Sequence, residues 1–593
     1  MILTADFETT TEAPARVWAT GLCEIANPDN FIYGNSIDWL FEWLIDSEES
    51  HTLYFHNLRF DGQFILFYLF THGYEWTDKK NLKQGQFKTL ISDTGLFYSI
   101  TVCFEYGGRN DKKEVTFLDS LKILNFSVAQ IAKGFGLPIM KGKIDYKADR
   151  PVGHVLTQEE VDYLRNDVQI VAMALAVLFK QGLKKMTAGS NAFHDFKTLF
   201  GKRKFEKMFP IPENDAEIRK AYRGGFTYLN PAFAEKEVFD GHVFDVNSLY
   251  PSVMYYKMMP FGVPVRFVGR YEDDAMYPLY VQRIKCQFEL KPGKIPTIQI
   301  KGNLAFIPTQ YLSDSGDEFV EMTLTNVDLK LFFEQYEVYN IEYLDGFKFM
   351  GAYDLFKDYI DKWTAVKIES TKTKNAAMRS LAKLMLNSLY GKFSLNPKVQ
   401  SKIPYLDRVN NVVKYRLGPK EEREPIYVPV GAFITSYARE VTIRASQAIK
   451  ELSIKKYGKD MYIYSDTDSI HTLLPVEDVE TIIETSDTEL GKWAHESDFV
   501  AGKFLHQKCY CEAEIVDDEE YDRLFADEET RSRCTIFDGV KTFLKVTSAG
   551  MSSGCYKYVT WENFRTGEAF RGKLLHQNVE GGAILKDVDF TIK

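Results

Sequence analysis

The sequence predicts a multidomain α/β protein, and three observations carry that expectation. The chain has 593 residues, too many for one hydrophobic core, because single cores stop growing near roughly 250–300 residues. Its first third alternates strand-like and helix-like segments. Its middle sets two long helical segments among β-rich runs.

The opening MILTADFET reads as a buried strand, with Ile2 and Leu3 followed by alternating Asp6 and Glu8. An apolar helical segment follows at 37–45. LYFHNLRFDGQFILFYLF (53–70) reads as a strand, a turn at Asp61-Gly62 and an amphipathic helix. Residues 157–181 read as a helix opened by a capping box, Thr157 with Glu160. This first α/β unit ends near residue 188. VFDVNSLYPS (243–252) is a strand running into a helix start, and 260–350 reads as short β-rich runs broken by Pro and Gly. Two helices fill 353–392, joined by STKTKN (370–375). A polar, turn-rich stretch at 394–429 suggests a β-hairpin. A helix at 432–453 precedes a strand, MYIYSDTDSIHTL (461–473), and 535–593 is mixed strand and loop.

A formal net charge of −10 argues weakly against nucleic acid as a partner, since phosphate binding needs Lys and Arg. It does not exclude a local basic channel, because metal-binding carboxylates add to the acidic count. Of the seven Cys, Cys509 and Cys511 are the only close pair, and neither a second pair nor a His cluster has zinc spacing, so reduced thiols in a cytoplasmic protein are expected. The most apolar stretch, 168–179, is too short to span a bilayer. Neither a signal peptide before the first strand nor a longer basic leader before Asp6 is expected. Trp363, Trp493, His471 and His495 are expected to be packed or hydrogen-bonded, and DDEEYD (517–522) to be a solvated loop.

Asp466 and Asp468 in YSDTDS are two residues apart, which on an extended segment points both to one face. Asp245 in DVNSLYP comes from a distant strand. Three carboxylates can hold two Mg2+ ions, which take hard oxygen ligands, and Mn2+ fits the same donors. Two metals can activate a hydroxyl and clamp a leaving pyrophosphate. A lone Asp-x-Asp is weak evidence; the order DVNSLYP, KLMLNSLYG, YSDTDS is specific. Lys383, Asn387 and Tyr390 share a helix face, with Arg379 one turn earlier. Cations there suit a triphosphate and a Tyr suits a base, although any one of them alone reads as solvated. A Tyr250 ring beside the sugar leaves no room for a 2′-hydroxyl.

A second acid set lies near the N-terminus. Asp6 and Glu8 face one side of their strand, Asp61 follows in NLRFDG, and Tyr163 and Asp167 sit at i and i+4 of a helix. Four carboxylates can bind two metals and hydrolyse a 3′-terminal phosphodiester, with Tyr163 orienting the water.

These segments resemble motifs A, B and C of family B DNA polymerases and the acids of DEDD-type proofreading nucleases. The chain is similar to protein-primed family B DNA polymerases of the phi29-like bacteriophage type. DFETTT (6–11), FHNLRFDG (55–62), YLRND (163–167), YRGGF (222–226), LFKDYIDKW (355–363), WAHES (493–497) and the terminal TIK carry this across nearly the whole chain. The resemblance implies an RNase H-like 3′–5′ exonuclease domain (1–188) and a right-hand polymerase. Its parts would be palm (189–256 and 430–535), fingers (356–393), thumb (536–593) and two terminal-protein-region insertions (257–355 and 394–429). It implies that Tyr222, Gly224 and Gly225 handle template, Thr435 and Arg439 contact template and primer, and Lys508 and Tyr510 steady the primer terminus. Lys367 would be a second triphosphate lysine, with a longer loop after it, and Val246 would offer its carbonyl to a metal. His56, Asn57, Phe60, Phe64, Ser120 and Leu121 match single-strand contacts, and Lys141 a basic residue near the scissile phosphate.

The resemblance further implies a processive, strand-displacing replicative enzyme with two Mg2+ per site. Its partners would be DNA template and primer, dNTPs and a terminal protein bound as a heterodimer. It would otherwise be a monomer in the cytoplasm of a bacterial host. Two alternatives stand beside it. One is the same chemistry primed only from nucleic acid, which the long insertion after Asp245 disfavours. The other is a noncatalytic DNA-binding protein, which seven intact acids disfavour. Tyr250 and the nuclease acids also disfavour an RNA polymerase or reverse transcriptase.

Overall fold

The computed structural model describes residues 1–108, 111–299 and 311–593. Two eight-stranded sheets organise them. In the first, strand Ile2–Thr9 runs antiparallel to Val17–Glu24 and parallel to His51–Phe55. Alternation along Ile2–Thr9 sends Leu3, Ala5 and Phe7 into a core shared with Phe64 and Leu66 of helix Leu58–Thr71. The other face carries Thr4, Asp6 and Glu8. It meets helix Gln158–Lys180, where the Thr4 hydroxyl donates to the Val168 carbonyl at 2.8 Å. The capping box of that helix is present: Thr157 accepts from the Glu160 amide, and Glu160 accepts from the Thr157 amide at 2.9 Å.

The second sheet is antiparallel. Strand Lys236–Val246 lies between Ser469–Thr472 and Trp493–His506. Phe244 and Val246 enter a large core with Leu249, Val253 and residues of the long helix Val428–Tyr457. Asp245 is therefore turned to the opposite face. A four-stranded antiparallel sheet follows the helix Leu249–Tyr256, built from Met259–Val268, Leu279–Leu290, Val320–Thr325 and Tyr336–Ala352.

Three expectations hold in outline. Helix Ile37–Asp46 forms, helices Lys357–Lys372 and Ala376–Ser388 flank the STKTKN stretch, and 394–429 holds the hairpin Lys398–Asp407/Val412–Glu422. Other expectations fail. The turn before helix Leu58–Thr71 falls at His56-Asn57, where Asn57 takes φ 86°, a left-handed conformation that Asn tolerates. Gly62 instead lies inside the helix, where a Cβ would press on Phe97 at 3.1 Å. Segment 461–473 is not one strand but a hairpin, Tyr462–Asp466 and Ser469–Thr472. The runs in 260–350 are long strands, and helix Asn326–Gln335 among them was not foreseen. Its sequence signal was the N-cap Thr325, whose hydroxyl accepts from the Asp328 amide. The long helix starts at Val428 rather than 432, with Pro429 in its first turn. DDEEYD is helical: Asp517 caps Asp518–Ala526, and the acids suit the positive end of that helix.

Three distant segments meet at Gln63. Its Oε1 accepts from the Tyr415 hydroxyl at 2.5 Å and from Asn578 Nδ2 at 2.9 Å. Asn578 also donates to the Val413 carbonyl, and Asn411 to Glu580. The C-terminal hairpin Ala569–Val579/Gly582–Thr591 thus joins both the hairpin Lys398–Glu422 and the N-terminal unit, where Ala15 donates to the Glu580 carbonyl. Among the described residues, no helix is long and apolar enough to cross a membrane.

Candidate active sites

Asp245 stands at the end of its strand, paired with Ser469 and Ala494. Asp468 is at the tip of the neighbouring hairpin, after Thr467 at φ 62°. The tip is fastened on three sides. The Asp468 carbonyl accepts from Val246 N at 2.8 Å, Thr467 N donates to the Phe226 carbonyl at 2.7 Å, and the Thr442 hydroxyl donates to the Thr467 carbonyl at 2.6 Å. Gly225 lies so close that a Cβ would stand 2.6 Å from Thr467 Oγ1. The glycine in YRGGF is therefore set by close approach to the catalytic turn.

Burial, then the facing Asp468 and Glu496, push the Asp245 carboxyl up to about 7. Asp468 is also raised, first by burial, with Asp466 and Glu496 adding to it against a backbone hydrogen bond and Lys508. Two half-buried acids facing each other call for a cation. Glu496 was not assigned from sequence, although WAHES contains it. It is the extra residue of a bulge, since Val243 pairs with Ser497 and Phe244 with His495; bulges re-aim side chains in this way.

Asp466 corrects the reading of three equivalent ligands. The pair does not lie on one extended face, because the chain reverses between them. Both Asp466 oxygens accept from Lys508 Nζ at 2.7 Å, and Thr227 Oγ1 adds a third bond at 3.0 Å. Asp466 is placed to orient Lys508 rather than to face Asp245. Tyr510, beside Lys508, packs on Tyr464 and Phe504. If Asp466 acts through Lys508, then Asp466→Asn, Lys508→Ala and the double variant lower primer extension by similar factors. Fully additive losses in that double-mutant cycle would refute the coupling.

Thr435 and Arg439 also differ from expectation. Both are buried in the long helix. Thr435 donates to the Gly431 carbonyl, and Arg439 forms an ion pair with Asp328. Arg439 Nη1 donates to the carbonyls of Arg223 and Gly224 at 2.9 and 2.6 Å. In this structure Arg439 braces the Tyr222–Phe226 loop instead of presenting a free cation. Burial opposes the Asp328 charge, but Arg439, Arg223 and Ser436 together outweigh it and hold the carboxyl below its usual range.

On the other side of Asp245, the Tyr250 and Tyr390 rings stack at 3.9 Å. Asn387 and Lys383 are exposed on the helix leading to Tyr390. Burial and the neighbouring Lys383 and Arg379 lower the Lys367 ammonium; burial and Arg379 lower Lys383. Such crowding of like charge suits a polyanion.

In the N-terminal unit, ligand atoms of Asp6, Glu8 and Asp167 come within 4.8 Å of one another. Burial and then Asp167 push Asp6 up to about 7, and burial and Asp6 raise both Glu8 and Asp61 well above their usual values. Lys141 pairs with Asp167, whose Oδ1 is buried without a hydrogen-bond partner. All-oxygen donors crowded this way fit hard divalent cations. Tyr163 exchanges a 2.6 Å hydrogen bond with Tyr146, a residue that no sequence signal marked. His56 bonds Ser120 Oγ at 3.0 Å and the Phe126 carbonyl at 2.7 Å. The Asn57 and Leu121 amides both donate to Asp119 Oδ1. Phe60 is partly open beside Phe64. Ser120 and Phe64 correct the list of strand contacts: both are buried, Ser120 donating to the Phe55 carbonyl and Phe64 packing near Phe7. They shape the cleft from behind.

The raised Asp6 carboxyl gives a pH prediction. Its folded value lies above the unfolded one, so the metal-free protein is more stable below about 4 than above about 7 as far as this group goes, losing that share as pH rises through about 7. Chemical denaturation of chelated protein across that window checks it. Asp6→Asn is expected to flatten the slope, and an unchanged slope would refute the assignment.

Comparison with known proteins gives the family. Residues 47–151 and 147–482 match the family model "DNA polymerase type B, organellar and viral". The chain belongs to this family and is a DNA polymerase. Within it, similarity over the full length lies with the phi29-like Bacillus phage enzymes. The DNA polymerase of Bacillus phage Nf is 48% identical, covering 100% of this chain and 99% of the relative. That of Bacillus phage phi29 is 45% identical, covering 99% and 98%. The structure of Phi29 DNA polymerase complexed with primer-template DNA superposes with a TM-score of 0.89 at 43% identity, covering all of both chains. Its ternary complex with incoming nucleotide substrates gives 0.88 at 43% identity, again covering both chains fully.

Proposed function

We propose that this polymerase is a replicative, protein-primed, processive and strand-displacing enzyme that proofreads with its own 3′–5′ exonuclease. The observation that carries the reading is the pair of separate carboxylate clusters, Asp245/Asp468 and Asp6/Glu8/Asp61/Asp167, each with acids raised by burial and mutual repulsion. The domain limits follow those drawn from sequence: exonuclease 1–188, palm 189–256 and 430–535, insertions 257–355 and 394–429, fingers 356–393, thumb 536–593.

Asp245, Asp468 and the Val246 carbonyl hold divalent cations at the synthetic centre, and the four N-terminal acids hold them at the editing centre. The ions are two Mg2+ per centre, with Mn2+ as a substitute. When bound, they supply the charge that activates the attacking oxygen and offsets the leaving group. The remaining work falls to the chain. Lys367, Arg379 and Lys383 hold the triphosphate, and Asn387 and Tyr390 position the nucleotide. Tyr250, fixed by its stack on Tyr390, closes the space a 2′-hydroxyl would need. Tyr222, Gly224 and Gly225 guide template beside the catalytic turn. Lys508 and Tyr510 steady the primer terminus. In the editing cleft, Tyr163 orients the attacking water, Lys141 sits by the scissile phosphate, and His56, Asn57, Phe60 and Leu121 line the path of a frayed strand. Only unpaired ends fit, so discrimination comes from the cost of unpairing.

Solved relatives carry primer-template and single-stranded DNA, and the same ligands are proposed here with dNTPs. The terminal protein is the proposed primer, in a heterodimer with an otherwise monomeric enzyme of the bacterial host cytoplasm. The test is incubation with the cognate terminal protein and labelled dATP. A covalent nucleotide–protein adduct is expected. Normal extension of DNA primers with no adduct from any labelled dNTP would overturn protein priming.

A further inference from the structure

We propose that His242, His495 and Asp498 form a site for one divalent transition-metal cation of the zinc type, separate from both carboxylate centres. The three side chains bring ligand atoms within 4.8 Å of one another. Asp498 Oδ1 lies 2.6 Å from His242 Nδ1 and 2.7 Å from His495 Nε2.

The backbone builds this cluster. His242 and Asp498 are direct cross-strand partners on Lys236–Val246 and Trp493–His506. Residues three apart on a strand face opposite ways, so His495 would ordinarily point away from Asp498. The bulge at Glu496 inserts one extra residue and brings His495 back to the Asp498 face. His242 is itself three residues from Asp245, so the cluster occupies the face opposite the catalytic acids.

The donor set decides the metal. Two imidazoles and one carboxylate favour zinc, nickel or cobalt over magnesium. Three protein ligands leave the fourth position to water, the arrangement of open zinc sites rather than of closed four-ligand ones. The imidazoles are partly open, at 23% and 32% exposure, so a cation can reach them. Ligand atoms around tetrahedral zinc stand about 3.3 Å apart given bonds near 2.0–2.1 Å. Each present hydrogen bond, 2.6 and 2.7 Å long, therefore opens by about 0.6–0.7 Å toward that tetrahedral spacing, within reach of small side-chain rotations. The bound ion would tie together the strands that carry Asp245 and Glu496. Its role would be a structural clasp, with no contact to substrate.

The test uses the full chain, stripped with chelator and returned to millimolar Mg2+ to occupy the carboxylate centres. Titration with Zn2+ is followed by calorimetry. One equivalent is expected to bind, with an anomalous scattering peak between His242 and His495 in zinc-soaked crystals. His242→Gln/His495→Gln is expected to weaken that equivalent by more than the roughly 10–100-fold that loss of an outer-shell partner costs. Primer extension in Mg2+ should be unchanged, which also reports correct folding. Unaltered Zn2+ binding by the double variant, or an anomalous peak only at the carboxylate centres, would overturn the proposal. So would absence of Zn2+ binding by the parent, which would leave Asp498 as a hydrogen-bond acceptor shared by two imidazoles.

Discussion

Asp245→Asn is expected to lower nucleotide incorporation by about 10³-fold or more while leaving 3′–5′ degradation at the parental rate. A cation held by Asp245 supplies several kcal/mol of charge stabilisation, and each 1.36 kcal/mol is tenfold in rate. Asp245 faces Asp468 and Glu496, and neutralising it removes one of the two acids proposed to hold the cation. Degradation is spared because the editing acids belong to the N-terminal unit, Asp6 and Glu8 on its sheet and Asp61 and Asp167 on its helices. Single-turnover extension and degradation of the same primer-template, run in parallel, measure both rates. Equal loss of both from folded protein would show that one centre serves both reactions.

Gly225→Ala is expected to cost about 10²-fold in incorporation, again with degradation intact. The added Cβ would meet Thr467 Oγ1 at 2.6 Å and Cγ2 at 2.9 Å. Thr467 has little room to retreat, because its amide is bonded to Phe226 and its carbonyl to Thr442. The strain passes to Asp468, the next residue, and a misplacement near 1 Å costs about this much. Rates at saturating dNTP distinguish displacement of the turn from weakened nucleotide binding. Gly224→Ala is the control, since a Cβ there meets nothing within 4 Å. Equal losses at both positions would refute the contact.

The legible parts of this chain were those governed by local pattern. Alternation placed Asp6 and Glu8 on one face of a strand, and Thr157 announced the helix that carries Tyr163 and Asp167. The motif order located Asp245, Lys383 and Asp468. Distant contacts left little local trace. Asp466 and Asp468 are two residues apart, but only the left-handed Thr467 separates their roles, and the Asp466 partner is forty-two residues away. Arg439 reads as a template- and primer-contacting residue until Asp328 is seen beside it. Glu496 is recruited by a bulge, and a bulge is a mismatch in length between paired strands rather than a property of either one.

The meeting point at Gln63 makes access a question of topology. Two hairpins rooted in different parts of the chain fasten to each other and to the N-terminal unit through side-chain hydrogen bonds. A strand passing between them would be encircled. A free end would thread through such an aperture, whereas a covalently closed circle would enter only when the seam parts. Each such bond contributes roughly 0.5–1.5 kcal/mol, so the seam is a reversible fastening with a measurable opening rate, and linear molecules need never wait for it.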